Sequence, residues 1–296
     1  MGHWVTIDGN HVYINESGKE EPNNGKYNSM IDANTNAREI LKTFKEDTKV
    51  EISINTWRKI PLRYLGPIMD TVAEMKKENP DLYLYEIHSN EEEDWDREEL
   101  EDDSTYACYS YTNAALIFNT KTKLQRSVED LNKEYKEDYE AGWGPNGDWT
   151  TVIKHELGHA FTYNAIDKLE SKLGTNLDDW LECANEYMRG QDIFAKGYDK
   201  NLLVQEMSRK FQQAEKEMKA KGYKGSFMNM VAKTNVLDKH GNYSENSFGN
   251  KDGIGDYATT NLHETLAEAF ADVRHNKKKA SPVSLILYEQ FFRGVN

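Results

Sequence analysis

VIKHELGHAF, residues 152–161, decides how this chain is read, because the HELGH at its centre is an instance of H-E-x-x-H. Its apolar residues recur at helical spacing, so the segment is expected to be a helix. Side chains four positions apart project from one helical face, so His155 and His159 are placed to bind a single zinc ion. Glu156, one position further round, is the candidate general base. Ile153, Leu157, Ala160 and Phe161 gather on the opposite side. The expectation is a helix with its apolar stripe toward a core and its histidines toward a cleft. Gly158 costs such a helix about 1 kcal/mol relative to alanine. Bare backbone there would let a neighbouring segment or a substrate come close.

A catalytic zinc usually takes three protein ligands and leaves the fourth position to water. The third ligand should therefore be a His or carboxylate on a downstream helix. NLHETLAEAFADV, residues 261–273, supplies Glu264, Glu268 and Asp272 at i, i+4 and i+8 on one face. Leu262, Leu266, Ala269, Phe270 and Val273 cover the other face. Two assignments fit this spacing. Either Glu264 binds the metal with Glu268 behind a ligand histidine, or Glu268 binds it with Asp272 in that supporting place. Such a supporting carboxylate fixes the histidine tautomer and strengthens the ligand. The structural alternatives are a solvated acidic face, or a capping box in which Asn261 opens the helix and Glu264 closes back on it.

Taken together, HELGH and ETLAEAF resemble the gluzincin metallopeptidases, most of all the group of anthrax lethal factor and Pro-Pro endopeptidase. That resemblance implies an α+β, zincin-like metallopeptidase fold, a Zn2+ cofactor and a peptide or protein substrate. It implies His155, His159 and Glu264 as zinc ligands, Glu268 as the carboxylate behind them, and Glu156 as general base. It also implies an oxyanion-stabilising role for Tyr257, which lies seven residues before Glu264. One departure is large: about 100 residues separate His159 from Glu264, more than a minimal catalytic domain of that group needs. An inserted helical region is expected to fill the gap. The N-terminal WVTIDGNHVYI resembles a stretch of minor head proteins from phages of Gram-positive bacteria, which implies a phage or mobile-element origin.

The 296 residues are 38% hydrophobic and 30% charged, enough for one large or two modest domains with a real core. No apolar run approaches the length of a membrane span, so no membrane partner is expected. Met1 is not followed by a basic region and an apolar stretch, which fits a cytoplasmic or virion-associated protein. A secreted form would need a leader upstream. The net charge of −14 argues against a nucleic-acid partner, which requires basic patches on phosphate. Part of that charge sits in EEEDWDREELEDD, residues 91–103, read as a solvated loop or as a rim that attracts a basic substrate. Cys108 and Cys183 lie in apolar contexts and are expected to be buried thiols. Nothing in the sequence sets an oligomeric state.

Three regions are expected along the chain. Residues 1–30 should form a hairpin, turning at Asp8-Gly9, and a polar linker. Residues 31–166 should form an α/β part ending in the HELGH helix, with helices over 37–44, 67–77 and 125–139 and strands over 50–54, 82–87 and 106–119. The AALIF segment of that last strand (114–118) is expected to be an edge able to pair with an extended peptide. Asp148 or Thr150 should cap the HELGH helix. Residues 167–296 should be mainly helical, over 177–188, 202–218 and 262–274. A long loop is expected at 237–257, and a last helix opened by Ser281-Pro282. The function expected is hydrolysis of peptide bonds by a zinc-activated water. The alternatives left open are a phage head or assembly protein with a non-catalytic metal site, a secreted toxin-type protease, and a zinc hydrolase of other bonds.

Overall fold

The computed structural model describes residues 3–7, 10–14, 25–92, 105–174, 201–237 and 242–293, and begins with a hairpin. Strands β1 (His3–Ile7) and β2 (Asn10–Ile14) pair antiparallel with Ile7 opposite Asn10, so residues 8–9 make the connection. Helix α1 (Lys26–Asp32) follows, then α2 (Ala37–Thr48), where the Asn36 side chain accepts the Arg38 N–H and Lys49 closes the helix in the left-handed region. After strand β3 (Glu51–Ile52) and helix α3 (Ile54–Lys59) comes α4 (Leu62–Glu78). The sequence reading started that helix at Pro67. It starts earlier because an internal proline removes only one ladder bond, from the Arg63 carbonyl, while Ile68, Val72 and Met75 are buried as their spacing predicted.

Strand β4 is Glu86–Ser89, later than the expected 82–87. Leu82 and Leu84 are buried, but the Leu84 N–H turns back to the Leu82 carbonyl (2.7 Å), so this part of the run is not a strand. The strand expected over 106–119 is instead a hairpin of β5 (Ala107–Ser110) and β6 (Ala115–Phe118). Its turn puts Ala114 at φ 49°, a conformation that normally calls for glycine or asparagine, so the residue type did not announce it. The sheet order is β3-β4-β6-β5, with β5 antiparallel at one end and the other pairs parallel. The AALIF strand is therefore interior, with all four residues of β6 buried, and the edges are β3 and β5. The Asn119 N–H bonds to the Tyr106 carbonyl. By the antiparallel alternation, residues 106, 108 and 110 then face β6, while Ala107 and Tyr109 turn their backbone groups outward.

Helix α5 (Val128–Ala141) is capped by Ser127, and α6 (Thr151–Leu173) is the helix that carries HELGH. Thr150 begins α6 without a side-chain cap, and its own N–H is taken by the Asp148 carboxylate at 2.8 Å. Helices α7 (Leu202–Ala220) and α8 (Phe227–Val231) precede a second hairpin, β7 (Asn235–Leu237) with β8 (Tyr243–Phe248). That hairpin occupies much of the expected 237–257 loop. The segment is tied down where sequence pattern is silent: the Asp256 carboxylate accepts the N–H groups of Lys233, Thr234 and Asn235, and the Thr259 hydroxyl accepts that of Leu237. Helix α9 (Leu262–Asn276) and α10 (Pro282–Phe291), with Pro at its first position, complete an α+β chain. The helix expected over 177–188, Cys183 and most of the acidic run lie outside the described residues. Among the described residues, no helix is long and apolar enough to cross a membrane.

Helix α6 lies between α9 and β5. A Cβ built on Gly158 would stand 2.9 Å from the Ala267 Cα, so the glycine is what lets α9 sit this close. Phe161 and Phe270 pack with ring centroids 4.6 Å apart, and Tyr163 stacks on Tyr109 (5.7 Å) and Tyr111 (4.5 Å) on the strand side. On α6, Ile153, Leu157, Ala160 and Phe161 are buried as expected, and His155 lines a cavity. His155 and Glu156 are buried too, His155 against Glu264 and Glu268 of α9 and Glu156 beside the Tyr109 N–H of β5. Cys108 on β5 is half-buried rather than buried, since its side chain alternates with those of Ala107 and Tyr109.

Candidate metal centre

Two helix starts set the site. Asn261 opens α9 by accepting the Glu264 N–H at 2.9 Å, which holds Glu264 in the first turn, one helical turn before Glu268. Its side chain is turned inward, so Glu264 does not close a capping box. His155 and His159 stand one turn apart on α6 with their Nε2 atoms 3.2 Å from each other. Glu264 Oε2 lies 3.0 Å from His155 Nε2 and 3.5 Å from His159 Nε2. These three side chains form the one group among the described residues whose donor atoms could hold a metal ion, all within 4.8 Å of one another.

The donor set fits zinc. Ligands about 2.0–2.1 Å from a tetrahedral ion stand about 3.3–3.4 Å apart, and the three separations here, 3.0, 3.2 and 3.5 Å, bracket that value. Glu264 Oε2 is buried, and the two imidazole nitrogens are the partners that face it. Burial alone would raise the Glu264 carboxyl, but the His159 and His155 imidazoles hold it well below the usual range.

Glu268 and Asp272 separate cleanly. The Glu268 Oε1 meets His155 Nδ1 at 2.7 Å, on the side of the ring away from Glu264. Asp272 accepts the Asn276 amide (2.7 Å) and the Ser281 N–H (2.8 Å), and so joins the end of α9 to the start of α10. Of the two assignments that spacing allowed, the geometry matches the one with Glu264 among the imidazole nitrogens. Glu268 and Asp272 are buried, so this stripe is not a solvated face.

Glu156 is buried beside the cluster, and burial pushes its carboxyl up despite the His155 and His159 imidazoles nearby. The Tyr109 N–H, turned outward from β5, is directed at this carboxyl. Tyr257 lies in a short 3-10 turn, its ring 5.9 Å from that of His155, with its hydroxyl hydrogen-bonded to Glu264. The Glu264 charge, then burial, raises this phenol well above its ordinary value, so it stays a proton donor. Its position is fixed by its own N–H to the Trp143 carbonyl (3.1 Å) and by the Asp256 anchor one residue earlier.

His155, Glu156, His159, Tyr257, Glu264 and Glu268 thus lie together, and Asp272 does not join them. Three others were not foreseen. The Tyr109 N–H is a backbone group and leaves no mark in the sequence. Asp256 reads as an ordinary loop residue. His263 is buried against Tyr163 (5.3 Å) and His159 (6.2 Å), and burial with the His159 charge pushes it down to about 3, so it stays neutral. Its place beside Glu264 was the available signal. No protein-family model, curated protein or solved structure matches this chain.

Proposed function

We propose that this chain is a zinc-dependent metallopeptidase with a zincin-like arrangement, in which His155, His159 and Glu264 hold Zn2+. The observation that carries the reading is the convergence, within 4.8 Å, of three ligand atoms from helices far apart in sequence, with the buried Glu156 carboxyl beside them. Zinc, when bound, would bring a water to a pKa of about 7 and polarise the scissile carbonyl. Glu156 takes the proton of the attacking water and delivers it to the leaving amine; its raised carboxyl is suited to both steps. Tyr257 donates its hydroxyl proton to the oxyanion that forms at the carbonyl. Glu268 holds the His155 ring through Nδ1, leaving Nε2 for the metal. The outward backbone groups of Ala107 and the Tyr109 carbonyl on β5 offer an edge to which an extended peptide can pair, the Tyr109 N–H being held by Glu156.

A peptide-library digest with parallel zinc analysis tests this. Glu156→Ala should abolish hydrolysis and retain zinc, and His155→Ala should lose both. Normal cleavage by Glu156→Ala would contradict the assignment.

A further inference from the structure

A cavity of about 410 Å³ opens directly onto Glu156, His155 and Tyr257, at the Thr105–Ala107 end of β5. Its walls are aromatic: Tyr106, Tyr135, Trp143 and Tyr257. Its ionisable groups are mostly acidic. Lys123 is the one lining cation, and its Nζ is already bound to Glu134 Oε1 at 3.0 Å. Glu134 is further bound by Arg126 and by the Tyr106 hydroxyl, so that pair is satisfied within itself. Two lining carboxyls are not. Asp138, one turn beyond Glu134 on α5, makes no side-chain hydrogen bond or ion pair among the described residues. Glu268 is more than nine-tenths buried, and its Oε2 has no partner.

Glu268 is held at Oε1 by His155 Nδ1, which leaves Asp138 as the one of the two without an ion-pair partner among the described residues, and aromatic walls beside it suit one kind of occupant: a cation on a flexible apolar stem. Aromatic faces attract a cation and cover its methylenes, and the carboxylates neutralise its head. The volume is at the small-ligand end of the range for binding pockets and is ample for one long side chain. We propose that this cavity receives the side chain of a Lys or Arg residue next to the peptide bond that is cut, with Asp138 as its counter-charge. The substrate class so named rests on the peptidase reading above. Burial, then the Glu134 charge, raises the Asp138 carboxyl, and the nearby Lys123 lowers it.

The test separates the pocket from the catalysis. Binding of N-acetyl-argininamide and of the neutral N-acetyl-norleucinamide to the full chain is measured by calorimetry, for the wild type and for Asp138→Asn. The cationic amide should bind at least about tenfold tighter, a preference of about 1.4 kcal/mol, and weaken as salt is raised. Asp138→Asn should remove most of that preference and leave the neutral amide unaffected. Asp138→Lys, still soluble and folded by circular dichroism, should reject the cationic amide. Equal binding of the two amides by the wild type, or an unchanged preference in Asp138→Asn, would overturn the proposal. A peptide-library digest is run alongside. Hydrolysis without selection of Lys or Arg beside the cut overturns the pocket assignment alone. Absence of all hydrolysis overturns the peptidase reading, while the amide preference still decides the pocket.

Discussion

His155 is the residue on which the site turns, because each of its ring nitrogens meets a different glutamate: Nε2 faces Glu264 at 3.0 Å and Nδ1 faces Glu268 at 2.7 Å. In the proposed site one carboxylate would share the metal with the ring, and the other orients the ring. This division predicts different outcomes for two acids of the same helix face. Glu268→Gln should weaken zinc binding by about 10–100-fold, as loss of a supporting carboxylate does elsewhere. Asp272→Asn should leave zinc affinity unchanged and lower stability by about 1–3 kcal/mol, because its bond to the Ser281 N–H is charge-assisted. Zinc titration and urea unfolding of both variants check this. Spacing on α9 could not choose between these acids, since both arrangements have the same periodicity. The choice lies in how α9 is rotated and shifted against α6, a property of packing.

At the scale of elements, the contact between α6 and α9 depends on Gly158. Alanine would be the better helix former by about 1 kcal/mol. Its Cβ would nevertheless lie 2.9 Å from the Ala267 Cα and 3.0 Å from the Ala267 carbonyl oxygen, which are backbone atoms that cannot rotate away. Such overpacking costs about 1–3 kcal/mol, so Gly158→Ala should destabilise the protein despite its helix propensity. It should also weaken zinc binding, since the displaced helix carries Glu264. Denaturant unfolding and zinc titration measure the two effects. The anchor of α5 predicts a pH dependence. Burial opposes the Glu134 charge, but the Tyr106 hydroxyl, Arg126 and Lys123 hold its carboxyl down at about 2, against an ordinary 4.5. A depressed carboxyl stabilises the fold above about pH 4.5 and loses that contribution as pH falls toward 2. Glu134→Gln should therefore melt below the wild type at pH 7, with the gap closing between pH 4.5 and 2.

The elements themselves were unevenly legible. Helices α2, α5, α6 and α9 were visible because their apolar spacing persists over several turns, and α2, α5 and α9 also begin at a side-chain cap. The break between β5 and β6 was hidden, because an alanine holds the left-handed turn position. The second hairpin was hidden in a Gly- and Asn-rich segment, because its order comes from the distant Asp256 carboxylate.

Across the whole molecule, the proposed site joins two parts of the chain that approach each other only through folding. Buried residues of α4, β6, α6 and α9 belong to one hydrophobic cluster, so the histidines and Glu264 are positioned by shared packing. The motif suggested the ligands, and the core sets the 3.0–3.5 Å separations among the three proposed ligand atoms. The interior position of AALIF followed from sheet order, which alternating hydrophobicity does not encode. Diffraction from crystals grown with one equivalent of zinc, recorded at the zinc absorption edge, tests this arrangement most directly. The account predicts a single anomalous peak per chain, within bonding distance of His155 Nε2, His159 Nε2 and a Glu264 carboxylate oxygen. A peak elsewhere, or none at full zinc loading, would contradict it.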